Sequence, residues 1–308
     1  MAGILAGKVA VITGAGRGIG RGIALAMAQA GARVVVNDYG VQVNGTEPQS
    51  GPADQVVAEI VGAGGTAVAN YDSVATMEGG ERIIQTALDR FGGIDILVNN
   101  AGILRDRMIF NMTEAEWDAV IAVHLKGTFN CTRHASILMR QQKSGRIINI
   151  TSTSGLVGNT GQANYGAAKA GIMGFTLVVA RDLGAYGVTC NAIAPGAQTR
   201  MTESVPDRAR QMRAMRALAG RPARGGFLAE MRGPEYVAPL AVWLASDQAK
   251  DINGQVFGVS GGLIQLYALP APIKTIFKEG LWTVEELLVV MPATLTPGLI
   301  NPAPPVSS

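Results

Sequence analysis

The sequence predicts an α/β protein, a single doubly wound domain whose parallel sheet is covered by helices on both faces. Short β-branched runs alternate with helix-length segments over most of the chain, and that alternation builds right-handed βαβ crossovers. One run, Ile94–Asn99, is rich in large aliphatics, as a strand buried on both faces must be. The chain is aliphatic, only 16% charged, and carries 40 glycines, a composition suited to tight strand-to-helix turns.

The elements follow in order. Lys8–Thr13 reads as a strand, Ile19–Ala30 as a helix and Arg33–Asn37 as a second strand. Gly40–Pro52, rich in Gly, Asn and Pro, reads as a loop. A helix near Ala53–Val61, a strand near Thr66–Tyr71 and a helix near Met77–Phe91 lead to Ile94–Asn99. Thr113, with Glu116 three residues on, forms a capping box for a long helical region reaching towards Arg140. Arg146–Thr151 is the next strand, Gln162–Ala185 a long helix and Val188–Ile193 a further strand. Pro234–Ser246 reads as a helix with Pro in its first turn, and Gln255–Val259 as the last strand. No internal repeat or charged linker divides this region, so residues 1–262 are expected to form one domain. Leu263–Ser308 breaks the pattern with seven prolines and one short helical candidate near Thr283–Val290. It is too apolar for a simple disordered tail and is expected to pack on the body or on a neighbouring subunit.

Composition excludes several classes. A net charge of +3 does not by itself imply a nucleic-acid partner. No run reaches membrane-spanning length and no signal peptide is visible, so a cytoplasmic protein without membrane contact is expected. Cys131 and Cys190 lie apart, outside any CxxC or Cys/His cluster, and no metal site is expected.

The first strand runs into Thr13-Gly14-Ala15-Gly16-Arg17-Gly18-Ile19-Gly20. Glycines there let the backbone turn sharply and approach a pyrophosphate, while the following helix offers N–H donors to the phosphates. The second strand ends at Asp38, roughly twenty residues on, where a carboxylate binds the adenosine ribose hydroxyls and repels a 2′-phosphate. That favours NAD. Arg17 points the other way, but Asp38 sits where the ribose should lie and Tyr39 beside it is neutral.

Ser152 closes the strand Arg146–Thr151, and Tyr165 and Lys169 lie four apart at the start of a long helix, one turn apart on one face. A tyrosine is a poor base, with an ordinary pKa near 10. A neighbouring ammonium and an oxidised nicotinamide are expected to lower it. Tyr165 then takes a proton from a substrate hydroxyl as hydride leaves, Ser152 holds the substrate oxygen, and Lys169 also binds the nicotinamide ribose.

Thr13-Gly14-x-x-x-Gly18-x-Gly20, Asn99-Asn100-Ala101-Gly102, Ser152, Tyr165-x-x-x-Lys169 and Pro195-Gly196 together resemble the motif set of the short-chain dehydrogenase/reductase family over residues 5–262. The resemblance implies a seven-stranded parallel Rossmann sheet and a homodimer or homotetramer. It also implies Asp72 and Ser73 towards the adenine, Asn99, Ala101 and Gly102 near the adenosine half, and Pro195, Gly196 and Thr199 along the nicotinamide. One departure stands out: where many members carry an Asn in the long central helix, this chain has His124. A buried imidazole there either supports the same proton relay or fills space.

Within the family, AVANYDSV (67–74), NNAGILRDR (99–107), Val123-His124-Leu125 and GQANY (161–165) resemble the (3R)-hydroxyacyl-CoA dehydrogenase portion of peroxisomal multifunctional enzymes and related bacterial hydroxysteroid dehydrogenases. Some of these stretches are shared with 3-oxoacyl-carrier-protein reductases. After Pro195-Gly196, Arg208, Arg210, Arg213, Arg216, Arg221, Arg224 and Arg232 form either a CoA-phosphate site or a solvated basic face. Met201, Met212 and Met215 suit an adaptable apolar wall or core packing. The leading expectation is NAD-dependent interconversion of an alcohol and a ketone on an acyl-CoA or a steroid. The alternatives are an NADPH-dependent 3-oxoacyl thioester reductase and a non-catalytic dinucleotide-binding regulator.

Overall fold

A computed structural model of the protein describes residues 3–46, 51–197 and 233–302. Residues 3–46, 51–197 and 233–267 belong to one compact unit and 268–302 to a second.

The first unit is built on an eight-stranded sheet: β1 (Val9–Thr13), β2 (Arg33–Asn37), β3 (Thr66–Asn70), β4 (Ile96–Asn99), β5 (Gly145–Ile150), β6 (Val188–Pro195), β7 (Val256–Ser260) and β8 (Leu263–Leu266). Their order across the sheet is β3-β2-β1-β4-β5-β6-β7-β8. The first seven strands are parallel, with Val11 paired to Val35 on one side and to Leu97 on the other. Helices α1 (Gly18–Gln29), α2 (Gly51–Gly62), α3 (Met77–Phe91), α4 (Glu114–Ile121), α5 (Gly127–Gln142), α6 (Thr153–Val157), α7 (Ala163–Gly184) and α8 (Ala238–Ala245) connect them.

The period of two along each strand divides the core. Ala10, Ile12, Val34, Val36, Ile96 and Val98 face one side, where they meet residues of α1, α2 and α8. Val9, Val11, Val35, Leu97 and Ile147 face the other and meet residues of α3, α5 and α7. Both faces are covered, so the strands read as unbroken apolar runs. Strand order reverses between β1 and β4, and the crevice outside the carboxyl ends of the strands at such a switch point is where an open α/β sheet binds ligands.

Three features differ from the sequence expectation. The sheet has an eighth strand: Gly261-Gly262 forms a hairpin turn, and β8 runs antiparallel to β7 with Ser260 opposite Leu263. Two glycines between strands permit such a two-residue turn, Gly261 lying at φ +53. β8 escapes a sequence reading because its exposed residues lack alternation. The long central helix is interrupted by a π-helical segment, Ala122–Lys126, carrying His124. A short helix, α6, follows Ser152, whose hydroxyl caps it.

The second unit contains α9 (Val284–Ala293), which begins with a Thr283/Glu286 capping box. Lys278 reinforces that end through an ion pair with Glu286 at 2.6 Å.

Candidate active site

The carboxyl edge of the sheet gathers Gly14–Gly20, Asp38, Asp72, Asn100–Gly102, Ser152 and Pro195–Gly196 from separate strands. Between the β1 turn and the loops after β2, β3 and β4 lies a cavity of about 680 Å³. Of the expected residues, Gly14, Arg17, Gly18, Ile19, Asp38, Asp72, Ser73, Ala101 and Gly102 line it.

The glycine turn is a cradle in which a side chain has no room. A Cβ on Gly16 would stand 2.6 Å from the Pro52 Cβ and 2.7 Å from Asp38 Oδ2, and one on Gly20 would stand 2.3 Å from the Gly14 carbonyl oxygen. Gly20 thus packs the helix against the turn and does not line the cavity. α1 begins with no side-chain cap and no acidic residue in its first turn, so its positive end is open to an anion. Asp38 accepts from Gly16 N on Oδ2 and from Gly40 N on Oδ1, both at 2.7 Å. These residues fit a dinucleotide: bare N–H groups for a pyrophosphate and a fixed carboxylate for a ribose. Arg17 is half-buried, and its guanidinium makes no hydrogen bond or ion pair with the described residues.

Some expected residues lie elsewhere. Asn99, buried in β4, donates to Thr132 on α5 and to Asn149 on β5. Strand alternation turns its side chain inward, and the next residue, Asn100, lines the cavity and donates to the carbonyls of Thr13 and Gly14 at 2.9 Å. Pro195 and Gly196 end β6 beside Val259, outside the cavity lining. Asp72 reaches the cavity while paired to Arg82 at 2.5 Å. Thr199, the Arg208–Arg232 series, Met201, Met212 and Met215 fall outside the described residues.

Residues 41–45, read from sequence only as a loop, cross the cavity and are pinned to the loop after β4. Leu104 N donates to Val43 O at 2.8 Å, and Arg105 Nε donates to Asn44 O at 2.9 Å. Polar, glycine-rich composition carries no periodic signal from which a covering role can be read.

Beyond the cavity lining stand Ser152, Tyr165 and Lys169, the three residues expected to carry the chemistry. Ser152 Oγ accepts from Ser154 N at 3.2 Å and lies near enough to the Tyr165 side chain to favour its ionised form. Lys169 is buried one turn along α7, with Nζ 5.6 Å from the Tyr165 ring centre and donating to Ile150 O at 2.5 Å. Burial pushes the Tyr165 hydroxyl up to about 12; the Ser152 hydrogen bond pulls it down and the Asp106 carboxylate pushes it further up. Burial also brings the Lys169 amine down to about 7. Desolvation is the largest influence on Tyr165 and favours its protonated form.

His124 contacts this group edge-on, its ring centre 5.1 Å from that of Tyr165. Its Nε2 lies 2.7 Å from Ile103 O and 3.1 Å from Ile103 N, and its buried Nδ1 has no partner among the described residues. Burial, then the Lys169 charge, hold the imidazole neutral, down at about 3, against an opposing bond to Ile103. The ring lies flush on Gly102, where a Cβ would meet Cε1 at 2.3 Å. Cys131 and Cys190 are buried and free, with thiols pushed up by burial to about 12. Among the described residues no cluster of three or more His, Cys, Asp or Glu is placed to hold a metal. None of the described helices is long and apolar enough to cross a membrane.

The short chain dehydrogenase family matches residues 8–210. This chain belongs to that family. As a short-chain dehydrogenase it is an oxidoreductase acting on CH–OH groups with a nicotinamide dinucleotide. It is 46% identical to the mouse peroxisomal multifunctional enzyme type 2 over 84% of this chain, but spans only 32% of that longer protein. It is 47% identical to a 3-oxoacyl-[acyl-carrier-protein] reductase of Synechocystis, over 84% of this chain and 98% of the other. A hydroxyacyl-CoA dehydrogenase of Mycobacterium tuberculosis is 41% identical over 93% of this chain and 88% of its own. A crystal structure of a short chain dehydrogenase from Mycobacterium avium superposes with a TM-score of 0.81 at 50% identity, covering 95% of this chain and 96% of the other.

Proposed function

We propose that this short-chain dehydrogenase uses NAD to interconvert a secondary alcohol and a ketone on a bulky apolar substrate, a 3-hydroxyacyl-CoA or a hydroxysteroid. One observation carries the chemistry: Tyr165 stands beside Lys169, with Ser152 near its hydroxyl, at the sheet edge that holds the glycine cradle. A bound nicotinamide supplies the hydride acceptor or donor. The chain's own residues handle the proton and the substrate oxygen. Ser152 Oγ accepts from Ser154 N–H and keeps one proton of its own to donate, towards Tyr165 in the free protein and towards the substrate oxygen when that oxygen is in place. Tyr165 takes the hydroxyl proton in oxidation and returns one in reduction.

Asp38 supports NAD, since its carboxylate is fixed by two backbone N–H groups where a 2′-phosphate would be repelled. The name of the mycobacterial relative supports an acyl-CoA substrate. A second reading, NADPH-dependent reduction of a 3-oxoacyl thioester, draws on the Synechocystis relative and on the Arg17 guanidinium at the cavity, which has no partner among the described residues.

Steady-state rates on a panel of CoA thioesters and hydroxysteroids, with each cofactor, test the choice. The expected result is a kcat/KM preference for NAD of at least about tenfold, equivalent to about 1.4 kcal/mol. A strong NADPH preference establishes the second reading instead.

A further inference from the structure

The GQANY stretch has a use beyond delivering Tyr165 to the site. The loop after β4 and the start of α7 are stitched together. Arg107 N donates to Gly161 O at 2.8 Å, and Arg107 bridges Gln162 in parallel register. Asn164, fully buried, donates to the carbonyls of Arg105 and Glu116 at 3.0 Å each and accepts from Tyr165 N at 2.7 Å.

Gln162 is the junction. Its Nε2 donates to Asp106 Oδ2 at 2.8 Å, which fixes which end of the amide points where. Its Oε1 then accepts from Ser154 Oγ at 2.8 Å and from Asn159 Nδ2 at 3.0 Å. Ser154 in turn donates its backbone N–H to Ser152 Oγ. A directed chain therefore runs from the Asp106 carboxylate through Gln162 and Ser154 to the catalytic hydroxyl.

We propose that Asp106 and Gln162 are positioning residues: the Asp106 carboxylate orients the Gln162 amide, and that amide holds Ser154 so that Ser152 faces Tyr165 with its proton directed at the substrate oxygen. The inference rests on the reading of Tyr165 as the acid/base. Gln162 and Ser154 are buried, and a hydrogen-bonded network through buried side chains holds them in a defined geometry; displacing a reacting group by about 1 Å costs up to about 100-fold in rate.

Asp106 also acts on Tyr165 through its charge. Among the described residues, the polar and titratable groups facing the tyrosine are Ser152 from the start of α6, Lys169 from α7, His124 from the π-helical segment, and Asp106 from the loop after β4. Arg107 in that loop is paired with Glu116 at 2.8 Å. Asp106 is the anion that opposes ionisation of Tyr165.

The test compares D106A, D106N, Q162A and Y165F, each checked for binding of reduced dinucleotide by fluorescence. D106A and Q162A should lower kcat about tenfold or more, with cofactor KM within about twofold of wild type. D106N keeps an acceptor for Gln162 and should recover most of kcat. With one anion removed from beside Tyr165, its acid limb for alcohol oxidation should also move to lower pH. A merely structural loop would not shift that limb. If D106A and Q162A retain kcat, or if D106N leaves the limb in place, the positioning proposal fails while Y165F still abolishes turnover. If Y165F turns over normally, the acid/base reading itself has failed.

Discussion

Tyr165 and Lys169 show two neighbouring groups each driven towards its neutral form by the same burial, the tyrosine up to about 12 and the lysine down to about 7. A protonated Tyr165 is the proton donor for ketone reduction, and its ionised form is the base for oxidation. The oxidation rate should therefore rise with pH from neutrality, while reduction stays level there and declines only at alkaline pH. Initial rates in both directions across pH 6–10 check this, and an oxidation rate independent of pH would contradict it. His124 gives a second prediction. Its imidazole titrates near 6.5 when unfolded and near 3 when folded. As pH falls below 6.5, the unfolded chain takes up a proton that the folded protein refuses, so stability is lost. The advantage of wild type over His124→Asn should shrink by about 1.4 kcal/mol per pH unit between pH 6 and 4. Urea unfolding measures it, and a constant difference would contradict the assigned burial. At this scale the proximity of Ser152, Tyr165 and Lys169 was legible from spacing. Their proton affinities were not, because desolvation depends on what the fold packs around them. The side-chain direction of Asn99 was likewise hidden until the phase of β4 was known.

At the level of elements, the Gly-rich turn was the most legible feature, since a strand, a run of glycines and a helix start leave few geometries. Gly16 sits closest to both Pro52 and Asp38. Gly16→Ala must push the carboxylate or α2 away, and the NAD dissociation constant should rise at least about tenfold, a loss of about 1.4 kcal/mol. Calorimetric titration reads this directly; unchanged affinity would mean that the cradle is not where the dinucleotide lies. The π-helical segment around His124 was invisible in the sequence because a continuous helix and one with an extra residue in a turn share nearly the same apolar pattern. β8 was missed for a related reason: four exposed residues without alternation carry no strand signal, and only pairing with β7 defines them.

For the whole molecule, the doubly wound sheet followed from alternation alone, whereas the chain after Tyr267 did not. There Ile273, Phe277 and Leu281 are 90%, 88% and 91% exposed, and α9 has no buried residue. Apolar side chains left this open call for a cover, and we expect a neighbouring subunit to supply it. Ending the chain after Tyr267, which keeps β8, should lower the number of protomers per particle measured by light scattering. An unchanged number of protomers with unchanged kinetics would rule the arm out as an assembly element.

The proposed chemistry depends on the proton carried by the Tyr165 hydroxyl. The most direct measurement is the rate of reduced-cofactor formation by Tyr165→Phe on every alcohol the wild type accepts, with NAD binding confirmed. Loss of the acid/base should lower kcat by about 10²–10⁴-fold with NAD affinity retained. A variant that turns over at the wild-type rate would contradict the mechanism.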